Sequence, residues 1–453
     1  MNPRTAPLRS CALLALCVTI AAAAEPRDPA LWKAGAARID ITPEGPVWMA
    51  GYAARKKPSE GVSQHLFAKA LALDDKGARL VIVTLDLIGV PRAVREGVER
   101  QVREKNGLRP EELLLNASHT HSGPAPYPRG VGDPAFVDRA AAYGKLLEGK
   151  IVTVIGDALA HLEPATLNYA HARAAFAMNR RLPVGTEIRN SPNPDGPVDH
   201  DVPVLRVNGA DGKLKTLLFG YACHNTTTGF YTINADYAGY AQAFLEENRP
   251  GVIALFLMGA GGDQNPYPRS VSLEQAAQHG RTLANAVEAA LAVTFQRPIH
   301  GPLRSALGYA DLEYADITRA DLERRIQARD AAEKARAQDY LKQLEAGTLP
   351  RSYPCPIQVV HFGPDLNLIA IGGETTVDYS LRLKRELAGS GRAIWVAGYS
   401  NDVFGYLGSR RVIVEGGYEG YSANLGRHPG PWATTSEDRI INLVYDLSRS
   451  INH

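Results

Sequence analysis

Cysteine is scarce in this chain, and so is any excess of charge. Of four cysteines in 453 residues, Cys11 and Cys17 fall within the first 24, which leaves Cys223 and Cys355. Two thiols permit one bridge at most, so a disulfide framework is excluded. Lys and Arg number 50 against 48 Asp and Glu; Arg4 and Arg9 belong to the same opening stretch, so the remainder stands at 48 against 48. A neutral balance with no basic run argues against nucleic acid or an anionic membrane surface as the main partner. Past the opening stretch no apolar run approaches the roughly 18 residues that a spanning helix requires, and no transmembrane segment is expected. Internal repeats and long linkers are missing too, which favours one elaborate domain over two. The stretch Gly259-Ala-Gly-Gly262 follows neither dinucleotide nor P-loop spacing, which discounts a nucleotide. Its glycines instead suggest close approach of backbone to a ligand.

The opening stretch has a character of its own. Residues 1–24 place Arg4 and Arg9 ahead of an apolar run at 11–23 and end in Ala22-Ala-Ala24, the pattern of a signal peptide with a small-residue cleavage site. Leu16 is too large for the position before a lipidated Cys17. The expected mature chain, 25–453, is therefore secreted or periplasmic.

What fills that chain is an alternation of short apolar runs with helical periodicity, the wiring of an α/β fold. Strands are expected at 66–73 and 80–85, joined by the turn Asp74-Asp-Lys-Gly77, and at 112–115, 214–221, 252–258, 357–362, 366–371 and 393–397. Helices are expected at 91–105, 137–161, 236–247 and 273–293, and again from about 376 to 387. Ser191-Pro-Asn-Pro-Asp-Gly-Pro197 reads as a loop, and the charged stretch 318–347 as solvated helix. A single mixed-sheet domain with flanking helices gathers its site at strand ends.

Polar residues stand where such a site would form. His119-Thr-His121 follows an apolar strand and enters a Ser/Gly/Pro loop. On an extended chain two histidines at i and i+2 face opposite ways, so one is free for proton transfer unless the backbone bends. His224 repeats the arrangement after the 214–221 run, beside Cys223, which reads as a buried apolar thiol. Asp86 is either a helix cap or a partner for a ligating histidine. Glu374 lies at a glycine-loosened helix start, either a dipole partner or a ligand, and Tyr406 follows the 393–397 strand. Two imidazoles, a carboxylate and a phenol suit zinc, whereas calcium takes more oxygens.

Taken in order, His119-Thr-His-Ser-Gly-Pro124, Tyr221-Ala-Cys-His224, Gly261-Gly-Asp-Gln-Asn-Pro266, Gly373-Glu-Thr-Thr376 and Tyr406 through Tyr418-Glu-Gly420 resemble the neutral/alkaline (non-lysosomal) ceramidase family. The resemblance implies a zinc-dependent amidase with His119, His224, Glu374 and Tyr406 as ligands. His121 then resembles the active-site histidine beside the metal, Arg180 the substrate-side arginine, and Tyr418 the second active-site tyrosine. Asn265 stands where the family motif carries a serine, so a serine nucleophile is excluded there and a metal-activated water is favoured, with Asn265 left to orient substrate. The chain ends soon after the catalytic portion, without the family's usual C-terminal β-domain, which opens the substrate question. Ceramide is the leading candidate; an ester, a lactone or a non-lipid amide shares the same chemistry, and an inactive secreted binding protein is the alternative from another class. A lipid N-acyl substrate implies peripheral membrane contact, with Trp48, Tyr52, Phe230 and Tyr231 as the expected apolar wall.

Overall fold

Along Phe67–Asp75 the side chains divide by parity, Ala68, Ala70 and Ala72 to one face and Leu71 and Leu73 to the other. Ala78–Leu85 does the same, with Val81, Val83 and Leu85 opposed to Leu80 and Ile82. Both faces being apolar, this sheet has to be covered on both sides. The computed structural model, which describes residues 32–452 apart from 53, 126–133, 270–271, 329–330 and 426, shows how. The proposed leader, 1–24, lies outside the described residues.

The larger sheet has nine strands. Its order runs Ile253–Met258, Leu214–Tyr221, Asp201–Gly209, Glu163–Arg173, Trp32–Asp40, Phe67–Asp75, Ala78–Leu85, Leu113–Ala117, with Arg297–Ile299 added to Glu163–Arg173. The pair at each end is parallel and the middle is antiparallel, so the sheet is mixed. Helices Arg92–Asn106 and Pro134–Ala160 cover one half of its outer face, and Asp236–Glu247 and Leu273–Ala292 cover the other half. Its inner face packs on a second sheet of four strands, Leu303–Glu313, Ser352–Phe362, Leu366–Ile371 and Ala393–Ala397. Helices Val377–Glu386 and Ser436–Ser450 close the far side, giving layers of helix, sheet, sheet and helix.

The larger sheet curls until its two edges meet. Asn116, near the end of one edge strand, accepts from Met258 N at 2.8 Å, at the end of the other. Its amide donates to Gly398 O at 2.8 Å and Ser400 Oγ at 3.1 Å, past the last strand of the second sheet. One fully buried amide thus ties three strand ends into a single rim.

The expected hairpin forms at Asp74–Gly77, with Lys76 and Gly77 at φ 55° and 96° in a two-residue turn. Two expectations change. Ser191 to Asn193 belong to the strand Glu187–Asn193, because they pair back onto Ala177–Val184. The charged stretch is not merely a solvated face: Leu322 and Ala337 are fully buried, and Arg325 donates to Pro429 O at 2.6 Å. Cys223 and Cys355 are separate buried thiols, so the one permitted bridge is not made.

Replacing Asn116 with Ala leaves Met258 N–H unpaired in a dry interior, a loss of about 1–3 kcal/mol, whereas Gly398 O keeps its bond from Ser400 Oγ at 2.8 Å. Urea unfolding should show a stability loss of about 2 kcal/mol for the variant. A loss below about 0.5 kcal/mol, the size of an ordinary surface change, would show that the rim does not depend on this amide.

Candidate metal centre

His119 leaves its strand with φ 66°, a left-handed conformation uncommon for a residue with a Cβ. That bend overturns the expectation that the two histidines diverge: His121 Nε2 lies 3.1 Å from His119 Nε2. The ring of His121 rests on Gly51, where a Cβ would fall 2.3 Å from its Cγ, and Tyr52 meets it edge-on at 4.9 Å. Arg55 holds the backbone by donating to His121 O at 2.6 Å.

His224 arrives from the other half of the sheet, its N–H on Gln264 O at 3.0 Å. The glycines expected to admit a ligand meet neighbouring backbone here. A Cβ on Gly261 would lie 2.7 Å from Cys223 N, and one on Gly262 would lie 2.5 Å from Glu374 O. Glu374 is not at a helix start. It sits in a two-residue strand, Glu374–Thr375, beside Tyr406–Leu407 in parallel register, and the helix begins at Val377. The dipole-partner reading therefore fails. Asp86 is neither a cap nor a histidine partner; its oxygens accept from Phe67 N at 2.9 Å and Gln242 Nε2 at 3.1 Å.

Around one point these groups converge. Glu374 Oε2 lies 3.2 Å from His119 Nε2 and 3.6 Å from His224 Nε2, and Tyr406 Oη is 3.3 Å from His224 Nε2. Nitrogens of His119, His121 and His224 all lie within 4.8 Å of one another. The far side of each ring sets the tautomer: His119 Nδ1–H donates to Ile88 O at 2.6 Å and His224 Nδ1–H to Gly261 O at 2.7 Å. The Nε2 lone pairs then face inward, as they do when an imidazole is prepared to ligate a metal. Glu374 Oε2 is buried without a hydrogen-bond donor among the described residues. Acceptors facing acceptors in a dry site fit a cation at their centre.

Electrostatics follow from burial. His224 is pushed down to about 3, first by burial and then by the Arg180 charge. His121 is held well below its ordinary value by burial and by the neighbouring imidazoles. Burial alone would raise Glu374, but His119 and His224 outweigh it and hold the carboxyl well below the usual range. The Tyr406 phenol is lifted by burial, which Arg180 opposes in part.

Arg180 is buried and committed within the protein. It donates to Glu419 Oε1 at 2.7 Å, Asn265 Oδ1 at 3.2 Å, Gly262 O at 2.9 Å and Tyr406 Oη at 2.9 Å. Asn265 also accepts from Thr226 Oγ1 at 3.3 Å, and its Nδ2 has no partner among the described residues. Tyr418 stands at the mouth, 43% exposed, its ring 5.3 Å from that of Tyr406. Sequence reasoning missed Tyr399, whose ring lies 4.5 Å from that of His119, and Glu419, which was inside a quoted motif but valued only for its tyrosine. Of the expected apolar wall, Tyr52 lies at the site, whereas Trp48 lines a cavity of about 10 Å³ beside Ala125 and Tyr143.

A family model described as neutral/alkaline non-lysosomal ceramidase, N-terminal, matches residues 32–266. Neutral ceramidases A and B of Dictyostelium discoideum are each 26% identical, over 267 and 262 residues; that is 53% and 52% of this chain but 37% and 36% of theirs. The chain thus matches little more than a third of those relatives' length. The crystal structure of neutral ceramidase from Pseudomonas aeruginosa superposes with TM-score 0.72 at 21% identity, covering 93% of this chain and 74% of that one. A ceramidase complexed with C2 gives TM-score 0.71 at 20% identity, covering 92% and 75%. At such identities the likeness is one of fold, a mixed α/β architecture.

His224, His361 and His428 release protons on folding, being held at about 3, 4 and 4 from 6.5, in each case first by burial. The unfolded chain therefore binds more protons below pH 6.5, so stability is full above that value and falls as the pH drops through it. Each contributes a slope of about 1.4 kcal/mol per pH unit, up to about 4 for the three together. Urea unfolding of metal-free protein between pH 7.5 and about 5 should show this fall. A flat profile would mean that these imidazoles gain protons without cost.

Proposed function

Because the chain belongs to the neutral/alkaline non-lysosomal ceramidase family, we propose that it is a zinc-dependent hydrolase of an N-acyl amide bond, with ceramide (N-acylsphingosine) as the leading substrate. The carrying observation is the set of inward-facing atoms able to ligate, His119 Nε2, His224 Nε2, Glu374 Oε2 and Tyr406 Oη, which would hold the ion. Two nitrogens and two oxygens favour zinc over calcium. When bound, zinc supplies Lewis acidity toward a carbonyl oxygen and brings the pKa of water from 15.7 to about 7.

The side chains divide the remaining work. His121 is kept neutral by burial, the form that accepts a proton, and its Nε2 faces the cluster. It takes the proton of the attacking water and returns it to the leaving amine. Tyr418, at the mouth, donates to the developing oxyanion, worth about 3 kcal/mol for a well-placed donor. Arg180 keeps the Tyr406 oxygen in place, and Asn265 offers its unpartnered Nδ2 to orient the substrate. We place the enzyme outside the cytoplasm on the leader-like residues 1–24, with peripheral contact where its lipid substrate resides. An ester, a lactone or a small non-lipid amide would be hydrolysed at the same centre by the same side chains.

Purified protein should carry about one zinc per chain and lose turnover on chelation. His121→Ala should keep that zinc while kcat drops by about 100-fold or more. Arrival of the variant without metal, read by elemental analysis, would make His121 a ligand. In kcat/KM across N-acyl chains from acetyl to long, ceramide hydrolysis requires a steep rise, each buried methylene contributing about 0.8 kcal/mol. A flat or falling series would select the small-amide reading.

A further inference from the structure

Glu419 has no part in the chemistry above, yet it is 1% exposed and binds two guanidinium groups. Arg180 and Arg181 are consecutive on the strand Ala177–Val184, where neighbouring side chains ordinarily point to opposite faces. Both reach one carboxylate all the same, Arg180 Nε at 2.7 Å from Oε1 and Arg181 Nη1 at 2.8 Å from Oε2. The pairing register with Glu187–Asn193 shifts between Asn179 and Arg181, and a bulge of this kind re-aims a side chain.

Charge distribution gives the arrangement a direction. The two cations share one fully buried anion, while Glu415, the other carboxylate on Arg181, is part-exposed. Glu419 is the carboxylate that Arg180 binds, and the other end of that guanidinium, Nη2, lies 2.9 Å from Tyr406 Oη. Arg181 meanwhile fixes the preceding chain by donating to Gly416 O at 3.0 Å and Val412 O at 3.4 Å. Glu419 follows Tyr418 in one π-helical turn, Tyr418–Ser422, so the residue that anchors the arginines also sets the backbone of the tyrosine at the mouth.

We propose that Glu419 is a positioning residue for the metal centre: its carboxylate aims Arg180 at the phenol oxygen of Tyr406. The inference rests on the hydrolase reading. If Glu419 acts through Arg180, its loss matters only while Arg180 is present.

The test is a double-mutant cycle of Glu419→Gln and Arg180→Met, with kcat and KM measured on the best N-acyl substrate. Glu419→Gln should lower kcat by about tenfold or more with KM changed less than about twofold, and should change kcat less than about twofold once Arg180 is Met. Glu419→Asp, which keeps the charge on a shorter reach, should recover part of the loss and stands in if the Gln variant does not fold. Visible absorption of the cobalt-substituted protein reads the same centre without substrate. The bands should differ between wild type and Glu419→Gln, and not between Arg180→Met and the double variant. Equal effects of Glu419→Gln in both backgrounds, or an effect on KM alone, would overturn the role. A wild-type chain that hydrolyses no N-acyl substrate would sink the hydrolase reading alone, and an unchanged cobalt spectrum would then decide against Glu419. A chain that takes up no cobalt would overturn both.

Discussion

Acceptor atoms turned toward one another in a dry interior repel, and the centre of this protein holds three of them, His119 Nε2, His224 Nε2 and Glu374 Oε2, beside the Tyr406 phenol. The inward lone pairs of His119 and His224 are imposed from behind, by the carbonyls of Ile88 and Gly261, which leave each ring only one tautomer that satisfies both sides. Glu374 and Tyr406 are delivered together by a two-residue parallel ladder, so their separation is set by backbone hydrogen bonds rather than by flexible side chains. A cation there would turn that repulsion into attraction, so the proposed metal would hold the fold together as well as serve the chemistry.

That geometry depends in turn on how the larger sheet closes. Its edge strands are as far apart as the strand order allows, yet their ends meet at Asn116 and Met258. Right-handed twist accumulated over successive strands brings edges around in this way. The second sheet adds Gly398 to the same rim. Strand ends that would otherwise lie along an open edge become a ring of loops around one point.

Much of this was legible from periodicity. Runs such as 80–85 and 253–258 alternate two apolar faces and so announce strands buried on both sides, and histidines just beyond 113–117 and 214–221 announce a site at their ends. Local pattern did not reveal long-range pairing. Glu374 precedes a helix in sequence, and only its partner Tyr406, 32 residues on, makes it a strand. The bend at His119 was hidden because a positive φ in a residue with a Cβ has no sequence signal. Arg180-Arg181 looks like any dibasic pair until a bulge turns both toward one carboxylate. The fold class was thus readable, whereas the side-chain directions that define the site arose from tertiary contacts.

The rings of His119 and His121 are reached by chain from distant positions: Gly51 lies beneath one of them, Tyr399 beside the other, and Glu374 across the centre. The segment that carries the family match, 32–266, holds both zinc-facing histidines of the proposed set but neither its carboxylate nor its phenol. The proposed ligand set is completed only by Glu374 and Tyr406, from chain beyond residue 266, so an ion held there would tie the two parts of the sequence together at one point.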